Sequence, residues 1–199
     1  MVTRVKLGIA VKIASGLWLQ WVLATVGGFG LSLLLIEIGE RPDMGVWSGA
    51  IGGGAIGLGQ WFVLRKRITQ AWWWILASIV SWGLIGASDL GALGWVAPRT
   101  MQIPLRLIFG FKDGVQIGCW LGALQWLVIS RKVPRAWLWT LVSTVSWAIG
   151  LAIGWGVGGM LRLATNFFLG DVLGLAIAWL VVGGLTGVAL VSLLRSSTY

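Results

Sequence analysis

The chain has 199 residues, 58% hydrophobic and 11% charged, with a net charge of +9 and no histidine. A soluble domain carries roughly 25% charged residues, so the composition excludes an ordinary water-soluble fold. Its basic residues stand in short clusters beside apolar runs, a pattern of membrane topology rather than of nucleic-acid binding. The absence of histidine removes the commonest metal, haem and general-base side chain. The single cysteine, Cys119, makes no internal disulfide and belongs to no metal-ligand spacing.

In chain order, the apolar segments predict six transmembrane helices, at about 13–36, 45–64, 71–87, 114–129, 136–158 and 172–194. The first follows Arg4, Lys6 and Lys12. It is too long for the apolar core of a signal peptide and lacks a good cleavage site, so it is expected to remain as a span. Six crossings use nearly all of the length, and a single integral membrane domain over 1–199 is expected, all-α, a polytopic helical bundle.

The second and third segments recur as the fourth and fifth, 65 residues later. Gly49, Gly53 and Gly57 align with Gly114, Gly118 and Gly122, and Gln60-Trp61 with Gln125-Trp126. Ala71, Trp72, Trp74, Ser78 and Trp82 align with Ala136, Trp137, Trp139, Ser143 and Trp147. The sixth segment keeps Gly183, Gly187 and Arg195 of the glycine-rich helix but carries Leu190 and Val191 in place of Gln-Trp. The first matches the tryptophan-led helix through Trp21, Thr25 and Phe29, placed as Trp74, Ser78 and Trp82. Three related glycine-rich and tryptophan-rich units, the first starting half-way through, account for the chain.

Six spans place Arg4, Lys6, Lys12, Arg65, Lys66, Arg67, Arg131, Lys132, Arg135 and Arg195 on one side with no acid. Glu37, Glu40, Asp43, Asp89, Asp113 and Asp171 fall on the other, with Arg41, Arg99, Arg106, Lys112 and Arg162. The basic side is expected to be cytoplasmic, and both termini with it. Trp61, Trp72, Trp73, Trp74, Trp126, Trp137 and Trp139 flank the basic turns and are expected as headgroup anchors, whereas Trp82 and Trp147 fall about 16 Å along their helices and are expected to pack between them.

The candidate sites follow. The period-four glycines Gly45, Gly49, Gly53 and Gly57, and Gly114, Gly118 and Gly122, give a face for close helix packing or a groove for a partner helix, lipid or flat ligand. Gln60 and Gln125 share those faces, and Gln20 is a third intramembrane amide. Each needs a hydrogen-bond partner, from another helix or from a ligand. Residues Trp95 to Asp113, with Pro98, Pro104, Arg106 and Lys112 among apolar neighbours, read as a surface connector, an interfacial amphipathic segment or a re-entrant piece. Asp89, Arg99, Arg106, Asp113, Arg162, Asn166 and Asp171 are expected on loops of the non-cytoplasmic side. No nucleophile has a base beside it, and Gly52-Gly53-Gly54 lies in an apolar helix and makes no phosphate loop. No catalytic residue and no metal site is therefore expected.

The pattern Gly-x3-Gly-x2-Gln-Trp, a basic loop and then Ala-Trp-x-Trp resembles small uncharacterised multispanning membrane proteins of bacteria, of the cyanobacterial type. The resemblance covers Gly49 to Trp82 and Gly114 to Trp147. It implies repeated transmembrane hairpins in a bacterial inner membrane or thylakoid, and it implies no activity. The expectation is a non-catalytic accessory or assembly subunit of a larger membrane complex, photosynthetic or respiratory. Its partners would be membrane lipids and other membrane subunits, with lipid, chlorophyll or carotenoid in the Gly/Trp-lined grooves. A small transporter or channel built from parallel repeats, and a membrane enzyme acting on lipid, are the alternatives.

Overall fold

The computed structural model describes the backbone of residues 2–40 and 45–196 and the side chains of residues 15–39 and 45–195. The side chains of Arg4, Lys6, Lys12, Glu40, Arg41 and Asp43 lie outside the described residues. The fold is all-helical. Its helices are α1 (Val2–Ser32), α2 (Val46–Leu64), α3 (Trp73–Ala87), α4 (Ile103–Ile129), α5 (Leu138–Thr165) and α6 (Leu169–Ser196). A 3-10 turn spans Leu93–Trp95, and β1 (Gly39–Glu40) pairs in parallel with β2 (Val96–Ala97). Each helix packs on the next in sequence, and α6 returns to α1, which closes the ring. By length and composition α5 and α6 can each cross a membrane, and α3 is a shorter apolar helix.

Glycines set the helix spacing. A Cβ at Gly53 would lie 2.6 Å from the Ser78 carbonyl oxygen in α3, and one at Gly118 would lie 2.5 Å from that of Ser143 in α5. Gly57 and Gly122 face the Ser78 and Ser143 side chains in the same way, and Gly49 and Gly114 abut the Trp82 and Trp147 carbonyls. The aligned glycines of α2 and α4 therefore make equivalent backbone approaches to α3 and α5. Nothing larger than glycine fits without moving a helix. Gly45, just before α2, reaches the backbone of Gly86.

Both basic turns also fold alike. Gln70 and Arg135 are left-handed, with φ of 61° and 56°, each just before a tryptophan-led helix. Lys132 Nζ donates to the Thr69 carbonyl at 2.7 Å and also to its hydroxyl, so the two turns lie at one end. Ile68, Val133, Leu17 and Leu193 share a buried cluster there, which brings the middle of α1 and the late part of α6 to the same end.

Three helices differ clearly in extent from those read in the sequence. α4 begins at Ile103, not near Gly114, because Pro104 falls in its first turn, where the missing N–H costs nothing. α5 runs to Thr165, past Gly158. Gly158 and Gly159 serve close approach rather than termination, the first against Gly170 and the second against the Arg106 side chain. α5 stops instead at Asn166, held in the left-handed region with φ 60° and its N–H donating to the Arg162 carbonyl. α1 begins at Val2 and ends at Ser32, whose hydroxyl donates to the Phe29 carbonyl at 2.6 Å.

Candidate functional site

The interior is built from tryptophan. At the end that carries the basic turns, Trp21 of α1, Trp74 of α3 and Trp139 of α5 meet edge to face, with ring centroids 5.9, 5.9 and 5.3 Å apart. Such pairs contribute about 0.5–1.5 kcal/mol each beyond their buried area. Every indole N–H in this layer is satisfied by the adjoining glycine-rich helix. Trp74 donates to Gln60 Oε1 at 2.8 Å, Trp139 to Gln125 Oε1 at 3.0 Å, and Trp21 to the Thr186 hydroxyl at 3.0 Å.

The glutamines pass the connection on to the preceding tryptophan-led helix. Gln60 Nε2 donates to the Thr25 hydroxyl of α1 at 3.1 Å, and Gln125 Nε2 to the Ser78 hydroxyl of α3 at 3.2 Å. Each amide thus joins three helices through two hydrogen bonds, and both are buried. Leu190 offers no such amide in α6. Thr186, one turn earlier, takes over the acceptor role for Trp21, and its own hydroxyl donates to the Val182 carbonyl at 2.6 Å.

Trp74 and Trp139 therefore turn inward, 0% and 2% exposed, and are not headgroup anchors. They sit on the helical face opposite Trp72 and Trp137, which are about half exposed. Trp73 is exposed and stacks on Trp72, and Trp61 and Trp126 are half-buried. Gln20 is exposed and makes no part of the interior network.

A second layer lies deeper. Trp82 and Trp147 pack at 5.2 Å, and Trp179 of α6 contacts both, at 5.7 and 4.7 Å. Phe29 of α1 stacks on Trp179 at 5.8 Å. Into this layer folds the α3–α4 connection. Ala92, Leu93, Trp95, Val96 and Ala97 are all buried, so the stretch around Trp95 folds into the bundle and is not a surface connector, and residues 103–113 belong to α4. Its backbone caps the indoles around it. Trp179 donates to the Gly94 carbonyl at 3.1 Å and Trp155 to that of Val96 at 3.0 Å, while Trp95 donates to Ser32 Oγ at 2.7 Å.

Between the two layers is a closed space of about 20 Å³, lined by Gln60, Gln125, Ser143, Thr186 and Trp82 among others. Trp82 Nε1 is buried without a protein partner. The space is no larger than one water needs.

The third polar cluster lies at the far end. Arg106 is fully buried, on the second turn of α4 and not on a loop. Its Nη1 pairs with Asp171 Oδ1 at 2.5 Å, and its Nε and Nη2 donate to the carbonyls of Thr100 and Pro98 at 2.7 and 3.0 Å. Arg162, in the last turn of α5, holds the other carboxylate oxygen of Asp171 at 2.7 Å. One carboxylate in the first turn of α6 thus ties α4, α5 and α6 together, and the helix N-terminus favours its charge. Asp113 is also buried on α4, whereas Asp89, Arg99 and Asn166 are exposed. The sequence showed these residues as a set, but not that Arg106, Arg162 and Asp171 converge. The alignment of Thr25 with Ser78 was the signal that could have found the hydroxyl partners of the two glutamines.

No group of three or more histidine, cysteine or carboxylate side chains gathers among the described residues. The buried arginine is held by an ion pair and carbonyls, and Gln60 and Gln125 each engage one indole and one hydroxyl. These arrangements hold helices together. No protein-family model matches the chain, and no solved structure matches it. A stretch of 42 residues is 43% identical to part of a cbb3-type cytochrome c oxidase subunit FixP of Rhizobium etli, which amounts to 21% of this chain and 15% of that protein.

Proposed function

We propose that this chain is an integral membrane protein of six spans, built from three related helix units, and that it serves as a non-catalytic accessory or assembly subunit of a larger membrane complex. The large apolar side chains on the outside of the bundle support the membrane placement. Glutamine, serine, threonine, arginine and aspartate side chains are buried, while Leu34, Trp47, Phe62, Trp120, Leu127, Phe167 and Val188 stand about half exposed or more. A bundle in water would gain by the reverse. In lipid, close packing and interhelical hydrogen bonds drive helix association, and glycine faces, indole edges and buried amides supply both. The basic turns at one end and Asp171 with Asp113 at the other support a cytoplasmic placement of both termini.

The observation that carries the functional reading is the filled interior. Two tryptophan layers and the folded-in connection leave only about 20 Å³ between them. Such a core suits a rigid scaffold that presents its outer face. The local similarity to a cytochrome oxidase subunit makes a respiratory complex the first partner to seek. The cyanobacterial resemblance makes a photosynthetic one the second, with chlorophyll or carotenoid held at the outer face.

The test is purification from native membranes in a mild detergent, read by mass spectrometry and by the absorption spectrum of the same fraction. Stoichiometric partner subunits are expected, with haem or pigment bands belonging to them. A colourless protein that remains partnerless after crosslinking in intact membranes would overturn the proposal.

A further inference from the structure

On the outside of the bundle, α1 and α2 leave between them a groove of about 560 Å³. Leu23, Leu31, Leu58 and Phe62 form its walls, and all four remain more than a third exposed. Two glycines in it close the helix contact: a Cβ at Gly28 would lie 2.9 Å from Ile56 Cα, and one at Gly59 would lie 2.6 Å from the Ala24 carbonyl oxygen. Gly27 differs. A Cβ there would meet nothing within 4 Å, so Gly27 is open floor rather than a packing point.

The charge on the groove is confined to one end, where Arg65 and Lys66 join its lining. The Arg65 guanidinium lies 4.7 Å from the centre of the Phe62 ring and 5.0 Å from that of Trp61. That holds a cation above the mouth of the trough. Among the described residues that line it there is no carboxylate, and Gln20 is its uncharged polar side chain. An apolar trough ending in two cations fits a molecule with a hydrocarbon chain and an anionic head. A partner helix apolar along its length would leave both cations uncovered.

We infer that this groove binds one anionic phospholipid, its acyl chain over Gly27 and its phosphate between Arg65 and Lys66. The inference rests on the membrane placement proposed above. Its test uses the full chain, delipidated in mild detergent, with phosphatidylglycerol, phosphatidylcholine and soluble glycerol phosphate as probes, and native mass spectrometry as the readout. Two cations near an anionic head predict a preference of about thirtyfold for phosphatidylglycerol over phosphatidylcholine, and no competition from glycerol phosphate.

Gly27→Leu fills the floor and is expected to lower phosphatidylglycerol binding at least about tenfold, since the chain loses its contact surface. The double change Arg65→Gln with Lys66→Gln is expected to abolish the preference, while Arg131→Gln, a cation on the other basic turn, leaves it intact. The two kinds of variant alter different atoms, so if one does not fold the other still decides. Equal binding of the two lipids, an unchanged Gly27→Leu protein, or full competition by glycerol phosphate would overturn the assignment. Failure of the membrane placement itself would look different: the chain would stay in the soluble fraction of lysed cells without detergent.

Discussion

The two ends of the bundle solve the same problem differently. At the end with the basic turns, three indoles meet edge to face and each N–H reaches a polar side chain one helix away, Gln60, Gln125 or Thr186. Two of the three acceptors are glutamines at aligned positions, and a threonine serves the third indole. At the other end the regularity breaks. The α3–α4 connection folds inward, its carbonyls cap Trp179 and Trp155, and an ion pair replaces the amide. A layer of uncharged groups tolerates loss of one member, since its neighbours can adjust. A buried arginine does not, because an uncompensated charge has no cheap alternative.

That difference orders the expected effects of substitution. Asp171→Asn leaves Arg106 buried without its counter-charge and should cost about 3 kcal/mol, the low end for a broken buried pair, because carbonyls still hold the guanidinium. The thermal midpoint in detergent should fall more than for any variant of the other end. Arg162→Gln should be milder, since its side chain is 23% exposed. Equal losses at both ends would remove the contrast.

The amide layer should respond on a smaller scale. Gln125→Leu removes the acceptor of Trp139 and the donor to Ser78, for a loss of about 1–2 kcal/mol. A sharper test asks whether Thr186 stands in for the missing third glutamine. Thr186→Val should strand the Trp21 N–H at a cost of about 1 kcal/mol, and adding Leu190→Gln should restore most of it. An additive double variant, with no recovery of the thermal midpoint, would show that the third unit is not equivalent to the other two.

The smallest effect is expected at the end of α5. Asn166 is left-handed, and asparagine accepts that conformation more readily than most residues. Asn166→Ala should cost under about 1 kcal/mol, and Asn166→Gly should be near neutral. Unfolding in a denaturing detergent would detect the pair. A larger penalty for alanine would mean that this cap, and not the Arg162–Asp171 pair beside it, holds the α5–α6 turn.

Sequence by itself determined the helical class, the helix count and the paired features of α2–α3 and α4–α5. These are properties of local pattern: apolar runs, a 65-residue spacing, basic turns and glycines four apart. A three-residue offset from Gly57 and Gly122 placed Gln60 and Gln125 on the glycine faces, and a distance of about 16 Å along their helices placed Trp82 and Trp147 between helices. Tertiary structure decided the rest. Trp72, Trp73 and Trp74 are adjacent and alike in composition, so only the helix phase against its neighbours makes Trp74 a core residue and leaves the others exposed. Arg106 reads as a surface charge in any window of sequence. It becomes interior because Asp171 and the small surface of Gly159, both distant along the chain, converge on it with the nearby carbonyls of Pro98 and Thr100. A buried charge is tolerable only where such partners meet, and that meeting is a property of the folded bundle, not of the residue.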